Sequence, residues 1–156
     1  MVLTSLKEKL ESRLKDLGIG YRFVAVERAR TVEDAARSLG VGRDKIAKTI
    51  IAITDRGPLA LFLRGIHRVD FEALRKNLGL SFAIMATPEE VERITGYKVG
   101  GVPPIIDGVE TIVDASLASE SGEVFCGGGD EHTLLAIKPR ELIEKLRLRV
   151  YGFASR

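Results

Sequence analysis

Apolar residues recur with two different periods along the chain, and each period predicts a class of secondary structure. Four leucines from Leu6 to Leu17 are spaced like the buried side of an α-helix, and a capping box of Ser5 and Glu8 precedes them. This pattern predicts a helix over residues 6–17. The same signals, with a glycine stop or an opening proline, predict further helices at residues 32–39, 71–78 and 88–95 and one that begins at Pro139.

Shorter runs that are rich in β-branched and aromatic residues predict strands between these helices. The clearest is a hairpin, in which strands 46–53 and 59–63 flank a turn at residues 55–58. Other strands are predicted at residues 21–26, 82–86, 111–113, 124–126 and 133–137. Helices scattered among strands, with one antiparallel neighbouring pair, predict a mixed α+β fold within the broad α/β class. We expect a mixed, mainly antiparallel sheet with flanking helices and not a doubly wound parallel sheet.

The loop that follows the predicted helix 88–95 has neither a helical nor a strand period. Its glycines allow close approach of another molecule or a positive φ, while its prolines fix φ and remove two N–H donors. Such a loop is accessible and stiff, which suits backbone N–H groups that are held toward a ligand. An ordinary rigid turn is the alternative interpretation. The loop consists of Gly100, Gly101, Val102, Pro103 and Pro104.

Composition narrows the class of protein without identifying a function. The chain has 156 residues, a net charge of +2, one cysteine and two histidines. We expect one domain over residues 1–156, with no internal disulfide, no zinc-type ligand spacing and therefore no metal. No apolar run is long enough to span a membrane and no signal-peptide core is present, so we expect a cytoplasmic protein. Residues 138–156 carry an excess of basic side chains, which predicts either a phosphate-binding edge or a solvated helix face.

Two charged residues lie in unusually apolar surroundings. Lys48 shares a strand face with Ile46 and Ile50, so its ammonium needs either a route to water or an anionic partner. Asp114 ends the apolar run 111–113, where it either caps a turn with Ser116 or points into a pocket.

The segment from Cys126 to His132 also offers two interpretations. A cysteine and a histidine can act as nucleophile and base, but cysteine is equally common in a buried core, and no protease signature surrounds this one. The glycines between them form no phosphate-binding loop, because no Lys-Ser or Lys-Thr pair follows. His67 lies in a polar stretch and is predicted at the surface.

Several short motifs occur in a specific order along the chain. The first motifs are Leu39-Gly40-Val41, Ile46-Ala47-Lys48-Thr49, the hairpin and Arg68-Val69-Asp70. After these come Thr95-Gly96-Tyr97, the loop 100–104, Val113-Asp114 and a Gly-Gly…His segment before a strand. In this order they resemble the YbaK/prolyl-tRNA-synthetase-associated editing domain in its free-standing form. The resemblance covers about residues 20–147, and the three glycines before His132 depart from the family's usual forms.

The resemblance implies a barrel-like sheet with flanking helices that hydrolyses mischarged aminoacyl-tRNA without a metal, cofactor or protein nucleophile. The substrate would carry a small amino acid such as Cys, Ala or Pro, and the partners would be the tRNA acceptor end and, as a second candidate, an aminoacyl-tRNA synthetase. Lys48 would be the catalytic residue. The alternatives are a non-catalytic RNA- or nucleotide-binding module on the same fold and a thiol hydrolase using Cys126 and His132. The substrate-binding residues would be Thr49, Gly100, Gly101, Val102, Pro103, Pro104, Asp114, Gly127, Gly128 and His132.

Overall fold

A computed structural model describes residues 5–27 and 31–156 of the chain. Within these residues the helices are α1 (Leu6–Leu17), α2 (Val32–Leu39), α3 (Phe71–Leu78), α4 (Pro88–Thr95), α5 (Ala115–Ala118) and α6 (Pro139–Leu146). The strands are β1 (Tyr21–Ala25), β2 (Ala47–Thr54), β3 (Gly57–Arg64), β4 (Arg68–Val69), β5 (Ala83–Met85), β6 (Glu110–Asp114), β7 (Val124–Asp130), β8 (Thr133–Ile137), β9 (Arg149–Tyr151) and β10 (Ala154–Ser155).

The predicted helices form because their ends are satisfied locally. At α4 the Thr87 side chain accepts the Glu90 N–H while the Glu90 carboxylate accepts the Thr87 N–H, so the predicted capping box is confirmed. Gly96 ends this helix with φ 82°, a conformation in which a Cβ would be strained. At α1 and α2 the side chains of Ser5 and Thr31 accept the N–H groups of Glu8 and Asp34, so both residues are confirmed as N-caps.

The strands form three sheets that are mixed but mainly antiparallel, as predicted. One has the order β1-β8-β7, the second β5-β2-β3-β6-β9, and the third pairs β4 with β10. The β3–β6 and β6–β9 pairs are parallel, and all other ladders are antiparallel. Within the described residues the sheets do not close into a barrel. A single parallel bridge between Ile46 and Phe125 joins the first two sheets.

One cluster of buried side chains is shared by the two larger sheets and by helices α1, α5 and α6. Phe62 of β3 and Leu135 of β8, both fully buried, lie in this cluster together with Leu14 of α1. Helix α3 covers the other face of the five-stranded sheet through Leu74 and Leu78. Burial of such side chains contributes about 1.5–3 kcal/mol each. None of the described helices is long and apolar enough to cross a membrane.

The structure differs from the sequence prediction at the glycines and at the C-terminus. The run Gly127–Gly129 continues β7 as far as Asp130, where the sequence predicts that the strand ends at Cys126. The C-terminal segment beyond α6 adds β9 and β10, which the sequence does not predict. The excess basic charge there is partly neutralised, because Arg149 donates to both carboxylate oxygens of Glu110, at 2.7 and 2.9 Å. This pairing favours the solvated-surface interpretation of that edge.

Candidate active site

A cavity of about 170 Å³ opens where the start of β2 diverges from β7. Helix α2 forms one wall and the loop after α4 forms another. Five of the predicted site residues share this cavity with apolar side chains from α2, β2 and β8. The lining consists of Thr31, Val32, Ala35, Ile46, Ala47, Lys48, Thr49, Ile50, Val99, Gly100, Val102, Cys126, Gly127 and Leu134.

Consecutive residues of β2 reach the cavity because one edge of the strand has no neighbouring strand there. Along its other edge β2 pairs with β3, with Lys48 opposite Leu63. Its free edge pairs with β5 only from Ala52 onward, and the bridge to β7 lies at Ile46. The gap between these two contacts, over residues 47–51, faces α2 and the loop. Side chains on both strand faces can therefore contribute to one site.

Lys48 is held at this gap by a backbone carbonyl. Its Nζ donates to the oxygen of Gly65 at 3.1 Å, and Gly65 in turn donates its N–H to Ile46 O at 2.8 Å. Burial lowers the pKa of the Lys48 ammonium, and the positive charge of Arg68 lowers it further. The side chain makes no ion pair with any described residue. The predicted anionic partner is therefore not supplied by the described part of the chain.

Thr49 presents a hydroxyl that the described residues leave unsatisfied. The residue is 9% exposed, and its Oγ1 is buried with no hydrogen-bond partner among the described residues. A buried hydroxyl without a partner costs about 1–3 kcal/mol. Because the hydroxyl belongs to a cavity-lining residue, a bound ligand with a matching polar group would remove that penalty.

The loop contributes backbone donors. Gly100 has φ 97°, and its neighbour Gly101 donates its N–H to Lys98 O at 2.9 Å, which closes a turn. The Gly101 N–H is therefore used within the loop itself. The N–H groups of Gly100 and Val102 have no hydrogen-bond partner within residues 5–27 and 31–156, and both residues line the cavity. Two such donors beside an ammonium suit a ligand oxygen that gains negative charge.

The glycines of β7 allow the loop to lie directly on the strand. Gly129 donates its N–H to Gly101 O at 2.9 Å. A Cβ on Gly127 would lie 2.3 Å from Val102 O, and one on Gly101 would lie 2.8 Å from Asp130 N. Backbone therefore packs against backbone here, and the positions of the Gly100 and Val102 N–H groups depend on that contact.

Asp114 lies outside the cavity and has a structural role. It is 2% exposed, and its carboxylate accepts three backbone N–H groups, from Ser116, Phe153 and Ala154, at 2.9–3.0 Å. The turn-capping interpretation is confirmed, and the same carboxylate fixes the C-terminal segment against β6. These three contacts do not bring Asp114 into the lining of the cavity, and its predicted substrate contact stays a prediction.

Five other predicted substrate-binding residues, Gly101 among them, do not line the cavity. Pro103 and Pro104 are buried at the end of the loop, where Pro104 O accepts the Thr111 hydroxyl at 2.7 Å. Gly128 is buried on the far side of β7 from the loop, because a Cβ there would meet Thr133 O of β8. His132 is exposed, and its Nδ1 contacts the carbonyl oxygen of Glu27. These residues shape the site or lie beyond it.

Sequence reasoning missed residues that act through packing or through distant contacts. Val32 and Ala35, on the apolar side of α2, form a wall of the cavity. Gly65 positions Lys48, and a Cβ there would lie 2.7 Å from a Val32 methyl group. The sequence signal for this role of Gly65 is a glycine directly after a strand. His67 is partly buried, not a surface residue, and its Nδ1 has no partner within the described chain.

Cys126 lines the cavity but is not arranged as a nucleophile. Its Sγ is buried and donates to Leu135 O at 3.4 Å, and burial raises the pKa of the thiol far above its usual range. His132 contacts Glu27 and does not line this cavity. Across the residues that the structure describes, no three His, Cys, Asp or Glu side chains are grouped so that they could hold a metal ion.

Comparison with known proteins gives consistent matches. A profile of the family described as the aminoacyl-tRNA editing domain matches residues 26–145. The proline–tRNA ligase of Lactiplantibacillus plantarum is 30% identical over 111 residues, which are 70% of this chain and 20% of the ligase. The ligase of Geobacter metallireducens is 32% identical over 111 residues, which are 71% of this chain and 19% of the ligase. The chain thus spans about a fifth of the length of these relatives.

Solved structures share the fold over nearly the whole chain. The crystal structure of a hypothetical protein has a TM-score of 0.89 and 34% identity, and the match covers 95% of this chain and 100% of that one. A second structure, described as a candidate trans-editing enzyme for prolyl tRNA synthetase, has a TM-score of 0.85 and 26% identity and covers 99% and 100% of the two chains.

Proposed function

Because the chain belongs to the aminoacyl-tRNA editing domain family, we propose that it is a hydrolase that cleaves the ester bond of a mischarged aminoacyl-tRNA. The proposal is supported by polar groups that keep at least one hydrogen-bonding position free around one small cavity. The Lys48 ammonium, the Thr49 hydroxyl and the N–H groups of Gly100 and Val102 all belong to cavity-lining residues. They match the ester, which presents a carbonyl oxygen and a ribose oxygen.

In the proposed reaction, a water held in the site attacks the ester carbonyl carbon. As its oxygen forms the new bond, negative charge develops on the carbonyl oxygen, where the Gly100 and Val102 N–H groups and the Lys48 ammonium stabilise it. The bond to the ribose 3′ oxygen then breaks. The proton lost by the water replaces the acyl group on that oxygen, so the products are a free amino acid and an uncharged tRNA.

The size and lining of the cavity favour a small side chain on the amino acid. Val32, Ala35 and Ala47 form apolar walls around a volume of about 170 Å³. One methylene group changes binding in an apolar pocket by only about 1–3 kcal/mol, so the site selects mainly by excluding larger amino acids. We propose Cys, Ala or Pro as the amino acid that is removed.

The proposed partner is the acceptor end of a tRNA. The relatives are proline–tRNA ligases, so a synthetase is a second candidate partner. We further propose that residues 1–156 act as one editing domain and that the protein works in the cytoplasm, where its substrate is found.

A panel of charged tRNAs tests the proposal. The protein is incubated with tRNA for proline charged with Ala, Cys or Pro, and with Ala and Cys on their own tRNAs, and release of the amino acid is followed. We expect release from at least one small-amino-acid ester above the rate of spontaneous hydrolysis. Binding of these tRNAs with no release from any of them would instead identify a non-catalytic RNA-binding module.

Replacing Cys126 with Ala should leave the rate of ester hydrolysis within a few-fold of wild type. The thiol is buried and protonated, so it does not supply the nucleophile. The smaller side chain should lower the free energy of unfolding by about 1–3 kcal/mol, because it leaves a void. Single-turnover hydrolysis is measured below the melting transition of the variant. Loss of hydrolysis in a folded variant that still binds substrate would instead support a thiol hydrolase.

Replacing Thr49 with Val should separate stability from activity. Valine keeps the shape and the strand preference of the residue but removes the unsatisfied hydroxyl. We expect the free energy of unfolding to rise by about 1 kcal/mol while ester hydrolysis slows by about tenfold, because the substrate loses a hydrogen bond. Urea unfolding and single-turnover rates are the two measurements. A variant with less stability and unchanged rate would show that Thr49 is only a packing residue.

A further inference from the structure

An adjoining cavity, of about 370 Å³, continues the candidate active site along the contact between the loop and β7. Val99 lines both cavities. Of the two glycines that follow it, Gly100 lines the candidate active site and Gly101 lines the adjoining cavity. On β7, Gly127 lines the first and Asp130 the second, three residues further along the strand, which is at most about 10 Å. One extended ligand can therefore occupy both cavities.

The lining of the adjoining cavity offers a side-chain donor and a side-chain acceptor for a ligand. The Lys98 ammonium makes no hydrogen bond or ion pair with residues 5–27 or 31–156. Asp130 accepts the His132 N–H with one carboxylate oxygen, at 2.8 Å, and its other oxygen has no partner among these residues. Glu131 already lies 3.7 Å from the ring nitrogen Nε2 of His132. The full lining consists of Lys98, Val99, Gly101, Asp130 and Glu131.

These groups suit the edge of a nucleotide base better than a phosphate. One ammonium and two carboxylates give the lining a net negative charge, which disfavours an anion. A cytosine base presents an amino group, N4–H₂, and a carbonyl oxygen, O2, along one edge. A carboxylate accepts from the amino group and an ammonium donates to the carbonyl oxygen. Val99 is 61% exposed and offers apolar surface that the face of a base would cover.

We propose that the adjoining cavity binds the cytosine of the penultimate nucleotide of the tRNA, with Asp130 accepting from N4–H₂ and Lys98 donating to O2. The inference rests on the proposed function, which places the terminal adenosine in the candidate active site. Because tRNAs end in cytidine followed by adenosine, the base next to the ester-bearing nucleotide is always cytosine. Proteins recognise single-stranded RNA ends through such base edges. The contact holds the acceptor end whatever amino acid it carries.

The test compares two ligands that differ only in this base. 3′-Alanylamino-3′-deoxyadenosine 5′-monophosphate is an amide analogue of the aminoacyl end that is not hydrolysed. The two ligands carry a cytidine or a uridine that is joined through its 3′ oxygen to that phosphate. Binding of each to wild type, Asp130→Asn, Lys98→Met and Asp16→Asn is measured by calorimetry. Asp16 is a matched control, because it is an exposed carboxylate on α1 that lines neither of these two cavities.

Wild type should bind the cytidine ligand about tenfold more tightly than the uridine ligand, the value of a hydrogen bond to a charged group. Uracil has a carbonyl oxygen in place of the amino group, and a carboxylate repels it. Asp130→Asn should lose the preference, because an amide that still accepts the His132 N–H turns its NH₂ group toward the base. Asp16→Asn should retain the preference.

Lys98→Met should weaken binding of both ligands by a similar factor and leave the preference in place, because uracil has the same O2. Equal binding of the two ligands by wild type would overturn the assignment. A preference that survives Asp130→Asn, or that Asp16→Asn abolishes as well, would also overturn it.

The two proposals fail in different ways in this design. Binding does not depend on turnover, so a cytidine preference that requires Asp130 supports the inference even if the charged-tRNA panel shows no hydrolysis. Conversely, hydrolysis of a charged tRNA by wild type, together with equal binding of the two ligands, would keep the proposed function and overturn the inference alone.

Discussion

Replacing Lys48 with Met should slow single-turnover ester hydrolysis by about 10²–10³-fold, the usual effect of removing one preorganised donor. Methionine keeps the length and the apolar character of the side chain but carries no charge. The ammonium has no ionic partner within the described residues, and one of its three N–H groups is directed to Gly65 O. Two N–H groups therefore remain for the substrate, and methionine offers neither of them.

Two controls distinguish this role from a structural one. Loss of the bond to Gly65 should lower the free energy of unfolding by about 1 kcal/mol, which thermal melts will show, so rates are measured where each variant is folded. Lys48→Arg should recover little activity, because a planar fork does not replace a compact point charge in a small cavity. A folded Met variant whose hydrolysis rate is within a few-fold of wild type would show that the Lys48 side chain only extends from the strand to water.

Replacing Gly127 with Ala should lower both stability and activity. The new Cβ would lie 2.3 Å from Val102 O and 2.9 Å from the carbonyl carbon of Gly101, so the loop must move away from β7. Overpacking of this kind costs about 1–3 kcal/mol of unfolding free energy. Because the displaced loop carries the proposed oxyanion donors, a shift of about 1 Å should slow hydrolysis by about 10²-fold.

Gly152→Ala is the matched control for this substitution. A Cβ on Gly152 meets no atom within 4 Å, and its φ is not in the left-handed region, so stability and rate should remain close to wild type. Wild-type hydrolysis by a folded Gly127→Ala protein would mean that the loop does not need to lie on β7 for catalysis. The proposed oxyanion donors would then have to be sought elsewhere.

The elements that were predicted well are those whose signals are local. The leucines of α1, the capping box of α4 and the 55–58 turn each specify structure through neighbours within a few residues. The glycine part of β7 was missed because glycine has a low strand preference, and that part of β7 packs closely against the loop from another part of the chain. The parallel pairing of β9 with β6 is also non-local and has no signature in its own short sequence.

The residues of the candidate site also differ in whether their sequence signals are local. Lys48 stood out because a cation among apolar strand residues needs a partner, and the loop stood out because of its glycines and prolines. Asp114 showed the same kind of signal, but its partners are three backbone N–H groups, two of them from the C-terminal segment. The sequence therefore does not distinguish a buried carboxylate that binds a substrate from one that holds a chain end by hydrogen bonds. The contact of Gly65 with Lys48 could not be predicted from the sequence, because it depends on the pairing of β2 with β3.

NMR can show directly whether the aminoacyl adenosine binds in the cavity between β2, α2 and the loop. Backbone amide shifts of the ¹⁵N-labelled wild-type protein are followed during titration with 3′-alanylamino-3′-deoxyadenosine 5′-monophosphate. We expect the largest changes at Gly100 and Val102, whose N–H groups gain an acceptor, and at Thr49. Changes confined instead to a different cavity, which lies beside Leu10 of α1 and Ile105, would contradict binding at this site.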